Sequence, residues 1–254
     1  MKNNIVVYTA MFDDYDDLQD PISTFNGCDF ICFTDSDKLK NKIKIWKIVN
    51  IKKELDPIAM NRKIKILAHK YLVEYERSIY VDSNIRIIGN PFILAKKYLS
   101  KYDFAVPTHF MRSCVYDEIK ACFIYKKIDF YSAYSLYKKY LREGLPKNAS
   151  LSENNVILRN HKKDIIIQLM EEWWKEIVKN KIYRDQIFLN YVFYKKSYVL
   201  NFIEEKVRDK NDFFEYLPHK KTKKINNIIF RILNKIDILL RKIILSLLNL
   251  FFKI

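Results

Sequence analysis

Glycine is nearly absent: Gly27, Gly89 and Gly144 are the only three in 254 residues. A phosphate-cradling loop of the G-x-G-x-x-G or G-x-x-x-x-G-K-[ST] kind cannot be written in such a chain, so any nucleotide must be met by side chains and metal. Cysteine is scarce too. The four present, Cys28, Cys32, Cys114 and Cys122, have neither C-x-x-C spacing nor a paired His-x-x-x-His, which removes a zinc motif and marks them as reduced, structural thiols. Long apolar runs are missing as well. The longest charge-free stretch of the C-terminal segment, 243–252, has ten residues, whereas a spanning helix needs about 20. The N-terminus carries one lysine and a short apolar run before a series of acids, so it does not read as a secretory signal, and a cytoplasmic location is expected.

What is present is core material and positive charge. At 49% hydrophobic and 15% aromatic residues the chain can bury a large core, and its length suits one domain plus a tail. The net charge of +16 is clustered: residues 220–254 carry nine Lys or Arg against one acid, Asp237, which is half of the excess.

Short β-branched or aromatic runs at 5–10, 29–35, 44–49 and 77–85 alternate with helical patterns, notably one over 57–75. Further strands are expected at 103–109 and 154–160, with helices between and after them. That rhythm predicts an α/β fold with a largely parallel sheet. Asp56-Pro57 and Asn90-Pro91 place a capping residue before a proline, the composition of a helix start. The polar stretch 208–224 separates a domain at 1–219 from a tail at 220–254.

The chemistry-bearing segment is Tyr80-Val81-Asp82-Ser83-Asn84, where an apolar strand ends in oxygen-bearing side chains at Asp82 and Asn84. Open α/β sheets bind ligands beyond the carboxyl ends of their strands. Two such oxygens suit a hard divalent ion, Mn²⁺ or Mg²⁺, with positions left for phosphate; an ordinary turn has the same composition. The preceding helical pattern adds Arg62, Lys65 and His69, spaced by three and four and hence on one face if the helix is continuous. Tyr183-Arg184-Asp185-Gln186 opens another helix, where Asp185 is either a cap or a carboxylate facing a sugar. Two further polar sets, His109, Arg112 and Glu118, and Glu153, Arg159 and His161, flank later strands at the expected sheet edge.

The ordered blocks VYTAMFDDYDDLQDP, DFICFTD, NRKIKILAHKYL, YVDSNI, HFMRSCVYDE, LSENNVILRNH and RDQIFLNY resemble the family catalogued as domain of unknown function 616, across most of residues 5–195. That resemblance implies a GT-A type Rossmann-like mixed sheet flanked by helices and a glycosyltransferase using a nucleotide-diphosphate sugar. It implies a D-x-D-type element in the variant form Asp82-Ser83-Asn84, from which Asn84 departs as a neutral ligand. Asp185, Gln186 and Asn190 are similar, more distantly, to a motif of retaining family 8 glycosyltransferases, which would place Asp185 and Gln186 at the sugar and favour retention. The site so implied comprises Tyr8, Thr9, Arg62, Lys65, His69, Asp82, Ser83 and Asn84 for the nucleotide sugar. His109, Arg112, Glu118, Glu153 and Arg184 would line the acceptor or sugar side, and His219 would complete the metal shell. A glycan or glycolipid acceptor in bacterial cell-surface polysaccharide or lipopolysaccharide synthesis is the matching role.

In the tail, polar residues recur at steps of three or four among Ile, Leu and Phe, an amphipathic helical pattern. With its basic excess it is expected to lie peripherally on an anionic membrane surface, the inner face of the cytoplasmic membrane. A helix packed on the core is the competing arrangement. Two other functions stay open from sequence: a catalytically silent scaffold, because of Asn84, and a basic nucleic-acid-binding protein. The aromatics follow core periodicity, and the tail's charges alternate with aliphatics and not with stacking rings, which argues against nucleic acid.

Overall fold

The computed structural model describes residues 5–220 and 228–252, with side chains described through 220 and over 233–247. In chain order the elements are β1 Ile5–Met11, β2 Cys28–Thr34, β3 Lys47–Asn50, α1 Pro57–Ile66, α2 Ala68–Tyr71, β4 Arg77–Val81, β5 Ile85–Ile87 and α3 Pro91–Leu99. They continue with β6 Phe104–Pro107, α4 Val115–Ile124, α5 Phe130–Arg142, β7 Val156–Arg159, α6 Asp164–Asn180, α7 Asp185–Lys195, β8 Asn201–Ile203, β9 Phe214–Tyr216 and α8 Ile228–Phe252.

Seven strands form one sheet in the order β3-β2-β1-β4-β7-β6-β8, and β5 pairs with β9 in a small second sheet. Strands β3, β2, β1 and β4 are parallel, while β7 runs antiparallel to both β4 and β6. This is the GT-A type of Rossmann-like mixed sheet expected from the sequence. Strand β1 is buried along all seven residues, which is why IVVYTAM reads as a continuous apolar run and shows no alternation. One core face gathers Val7, Cys32, Ile79, Val81, Leu94, Leu158 and Phe214. The strand order reverses between β1 and β4, and the crevice beyond their carboxyl ends is the switch point at which such sheets take ligands.

The caps stand where the sequence put them. Asp56 accepts from the amides of Ile58 and Ala59 at 3.0 and 3.1 Å, and Asn90 accepts from Phe92 at 3.0 Å. The helix expected over 57–75 differs: it breaks at Leu67, whose ψ of 41° leaves the helical region, into α1 and the single turn α2. Arg159 explains the break. Fully buried, it donates to the carbonyls of Lys65 at 2.6 Å and Ile66 at 2.9 Å, the groups that a continuing helix would have used.

The chain divides into two compact units, Met1–Met111 with Ser150–Lys220, and Arg112–Ala149 with Lys221–Ile254. The first holds both sheets. In the second, α8 packs on α4: Asp237 pairs with Lys126, and Arg241 donates to the Phe123 carbonyl at 3.1 Å. All four cysteines are buried, and none is in a disulfide.

Candidate active site

The loops after β1 and β4 meet across the switch point. Asp16, in the first, accepts from the Ser83 hydroxyl at 2.8 Å, and its carboxylate also contacts Nδ1 of His219 at 3.0 Å. Burial works against ionisation of Asp16, but His219 and Ser83 outweigh it and leave the carboxylate below its usual range. An ionised carboxylate only accepts, so a proton sits on Nδ1 of His219, and Nε2 offers a lone pair when the ring is neutral. The same bond to Asp16 raises His219 above the ordinary imidazole value.

Asn84 makes the second stitch. Its side-chain Nδ2 donates to the Leu217 carbonyl at 2.8 Å, and its backbone carbonyl accepts from the Leu217 amide at 2.8 Å. The β5–β9 pair sets this register, Ile85 opposite Tyr216. Gly89 permits it, since a Cβ there would lie 2.1 Å from the Asp212 carbonyl oxygen. Asp82, Ser83, Asn84 and His219 are therefore gathered into one place from both ends of the domain.

Beside them lies a chain of charges. Lys65, 2% exposed, is 2.7 Å from Asp185 and 3.6 Å from Asp82, and its ammonium sits 4.9 Å from the centre of the Tyr80 ring. Arg62 reaches Asp185 at 3.4 Å. Burial of Asp185 opposes its charge, yet Arg62 and Lys65 prevail and hold it well below the carboxylate range. Asp82 accepts from the Tyr80 hydroxyl at 2.9 Å. On the β7 side, Glu153 accepts from Nε of Arg208 at 2.6 Å. Burial raises Glu153 despite that bond, with the charge of Asp82 adding to the rise. The Arg208 guanidinium is in turn clasped by two rings, Phe110 at 4.1 Å and Tyr216 at 4.3 Å.

Several expected site residues serve other ends. Tyr8 is wholly buried, its hydroxyl donating to the Lys65 carbonyl at 2.6 Å and accepting from Arg159 at 2.6 Å, so it braces the core and does not face a ligand. Thr9 is likewise fully buried in β1. His69 leaves the Arg62–Lys65 stripe because the helix breaks at Leu67; it pairs with Glu171 of α6 at 3.0 Å. His161 is buried, its Nε2 3.0 Å from the Leu72 carbonyl. Arg184 and Gln186 are half-buried at the start of α7, where Arg184 adds positive charge near Asp185. Asn190 secures the neighbouring loop, accepting from the Ser152 hydroxyl at 3.1 Å and donating to the Ser150 carbonyl at 2.5 Å. His109 stacks on Phe110. Arg112 and Glu118 belong to the second unit, where they pair with each other at 2.6 Å.

Residues not singled out from the sequence also stand here: Asp16, Arg208, and the amides of Asn154 and Asn155. Both asparagine side chains are buried, and neither amide has a hydrogen-bond partner within the protein. Asn155 accepts the Asp82 amide on its carbonyl at 2.8 Å, directly across the antiparallel β4–β7 pair. This bond sets the Asn155 backbone beside that of Asp82, one step past the paired strands.

The fold and this cluster define a Rossmann-like α/β domain with a charged polar crevice at its switch point. The chain belongs to the TOD1/MUCI70 glycosyltransferase-like domain family, whose model matches residues 1–219. Among solved structures it is similar to mouse xyloside xylosyltransferase 1 in its apo form, with a TM-score of 0.46, 10% identity, and coverage of 78% of this chain and 84% of that one. No curated protein sequence matches it.

Proposed function

We propose that this domain transfers a sugar from a nucleotide-diphosphate donor to a hydroxyl of a glycan or glycolipid acceptor. In that reaction the anomeric C–O bond to the diphosphate breaks, a new C–O bond to the acceptor forms, and the acceptor proton leaves with the diphosphate or a nearby base. The observation that carries the reading is the double stitch, Ser83–Asp16–His219 and Asn84–Leu217, at the carboxyl end of β4.

Among the described residues no three His, Cys, Asp or Glu form a complete metal shell. The donors available are the Asp82 carboxylate, Nε2 of His219 and Oδ1 of Asn84. That set fits Mg²⁺ or Mn²⁺, which keep several water and phosphate oxygens and need few protein ligands. Such an ion, when bound, neutralises charge on the departing diphosphate.

The chain's own residues do the rest. Lys65 and Arg62 supply fixed positive charge beside Asp82. Asp185, held between them and nearly inaccessible, is a positioning residue that fixes both cations and not a carboxylate facing the sugar. The exposed ring of Phe110 with Arg208 and Glu153 offers a platform for a sugar ring on the β7 side. Asn155, whose backbone lies beside that of Asp82, has two unspent hydrogen-bonding atoms. The sequence resemblance favours retention of configuration, which NMR of the first-formed product reads directly.

The test is a screen of nucleotide sugars with and without Mn²⁺, by thermal shift and by donor hydrolysis. We expect at least one donor to stabilise the protein and to be consumed, and Asp82→Ala to abolish both while the melting temperature without ligand is kept. Turnover by folded Asp82→Ala at the wild-type rate overturns the proposal.

A further inference from the structure

Helix α8 is held by its polar side and shows its apolar side to solvent. Over 233–247, where its side chains are described, the half-buried residues are Asn234, Asp237, Ile238, Arg241 and Leu245, spaced as one helical face. This face carries the bonds to α4: Asp237 with Lys126, and Arg241 with the Phe123 carbonyl and, at 4.9 Å, with the Phe123 ring. Around the rest of the helix Leu233, Ile236, Leu239, Leu240, Ile243, Ile244 and Leu247 are 44–58% exposed. At 100° per residue these seven fall within an arc about 140° wide. A surface helix of a globular protein has the opposite arrangement, with its apolar stripe turned inward. A continuous exposed aliphatic strip of this length marks an interaction surface.

We infer that this strip docks in the interface of an anionic phospholipid bilayer, with α8 lying in the membrane plane. Charge selects the occupant. Lys235 and Lys242, seven residues apart and both exposed, share one rotational position along the strip's edge. The segment 220–254 as a whole carries nine cations against one acid. An antiparallel twofold dimer through this strip would set the lysine edges of the two copies side by side, with like charges opposed. An anionic lipid surface accepts the aliphatic arc and the lysine edge together. No helix among the described residues is long and apolar enough to cross a membrane, so the contact is with a surface.

The full chain is tested by flotation with vesicles of phosphatidylcholine alone and of phosphatidylcholine with 30% phosphatidylglycerol, at low and high salt. We expect binding to the anionic vesicles, at least tenfold weaker binding to the neutral ones, and loss of binding as salt rises. Leu239→Glu with Ile243→Glu should abolish it. Lys235→Gln with Lys242→Gln should weaken it about thirtyfold, the factor that two surface cations supply. These side chains are exposed, so circular dichroism and melting temperature should match the wild type in both variants. Failure of the wild-type chain to float with anionic vesicles overturns the inference, as does equal flotation of the glutamate variant. A lipid-free dimer that the glutamate variant splits assigns the strip to a second copy and equally overturns it.

Discussion

Lys65 offers the sharpest test of how the crevice is built. Replacing it with methionine keeps the apolar stem and removes the ammonium 2.7 Å from Asp185, whose side chain is 5% exposed. Breaking a buried pair from one side strands the other charge and costs about 3–5 kcal/mol. Arg62 still reaches Asp185 at 3.4 Å, which puts the expectation at the lower end, about 3 kcal/mol. For a chain of this size that lowers the melting temperature by roughly 6–12 °C. Urea unfolding followed by tryptophan fluorescence reads it well, because buried Trp173 donates its indole N–H to the Asp185 carbonyl at 3.0 Å and reports on the start of α7. The double change Lys65→Met with Asp185→Leu removes both charges of this pair but also takes Asp185 from Arg62. We expect it to be about as stable as Lys65→Met alone and well short of the sum of the two single losses, a coupling of at least about 2 kcal/mol. A cost under about 1 kcal/mol for Lys65→Met, or additive losses in the double variant, would refute the reasoning. The double variant should also show a smaller thermal shift with nucleotide diphosphates, since one of the two fixed cations is gone.

Gly89→Ala should destabilise by at least about 2 kcal/mol, because its Cβ would collide with the Asp212 carbonyl oxygen and break the register that presents His219. Differential scanning calorimetry checks this, and an unchanged transition would contradict it. Asn155→Ala should leave stability level or raised, since two buried amide atoms without a protein partner cost about 1–3 kcal/mol in the free protein. It should weaken nucleotide-sugar binding about tenfold in titration calorimetry; wild-type affinity would remove Asn155 from the site. Burial, with help from Arg159, lowers His161 from 6.5 to about 4. The unfolded chain thus takes up this proton first, and stability falls by about 3 kcal/mol as pH drops from 6.5 to 4, then levels off. Urea midpoints across that range should fall less steeply in His161→Gln; parallel profiles would deny His161 the role.

The sheet was legible because its strands are written as apolar runs of the right length, and the caps because Asp-Pro and Asn-Pro have one local geometry. Long-range partners were not. Asp16 is one of five acids among Asp13, Asp14, Asp16, Asp17 and Asp20, with nothing local to distinguish it; its role comes from His219, 203 positions away. Arg208 sits in a polar stretch that reads as linker, and only the fold brings Glu153, Phe110 and Tyr216 around it. His69 was misplaced for a related reason. Periodicity assumes a continuous helix, and the residue that ends this one, Arg159, arrives from β7 with no trace in the α1 sequence.

The same pairings set Asp82 apart from the other acids of the crevice, and it is there that we propose an added cation. Asp185 has Lys65 at 2.7 Å, Glu153 has Arg208 at 2.6 Å, and Asp16 has His219 at 3.0 Å. Each of these carboxylates is at most 5% exposed and matched by its own partner. Asp82 is 32% exposed, and its cation is Lys65 at 3.6 Å, which already belongs to Asp185. It is the least compensated of the four and the most open. A nucleotide diphosphate entering beside it would bring more negative charge to a cluster whose cations are otherwise spoken for. Under the proposed function, positive charge supplied with the donor would lie against Asp82, the acid with the smallest share of a cation, and Asn84 would be the weaker ligand.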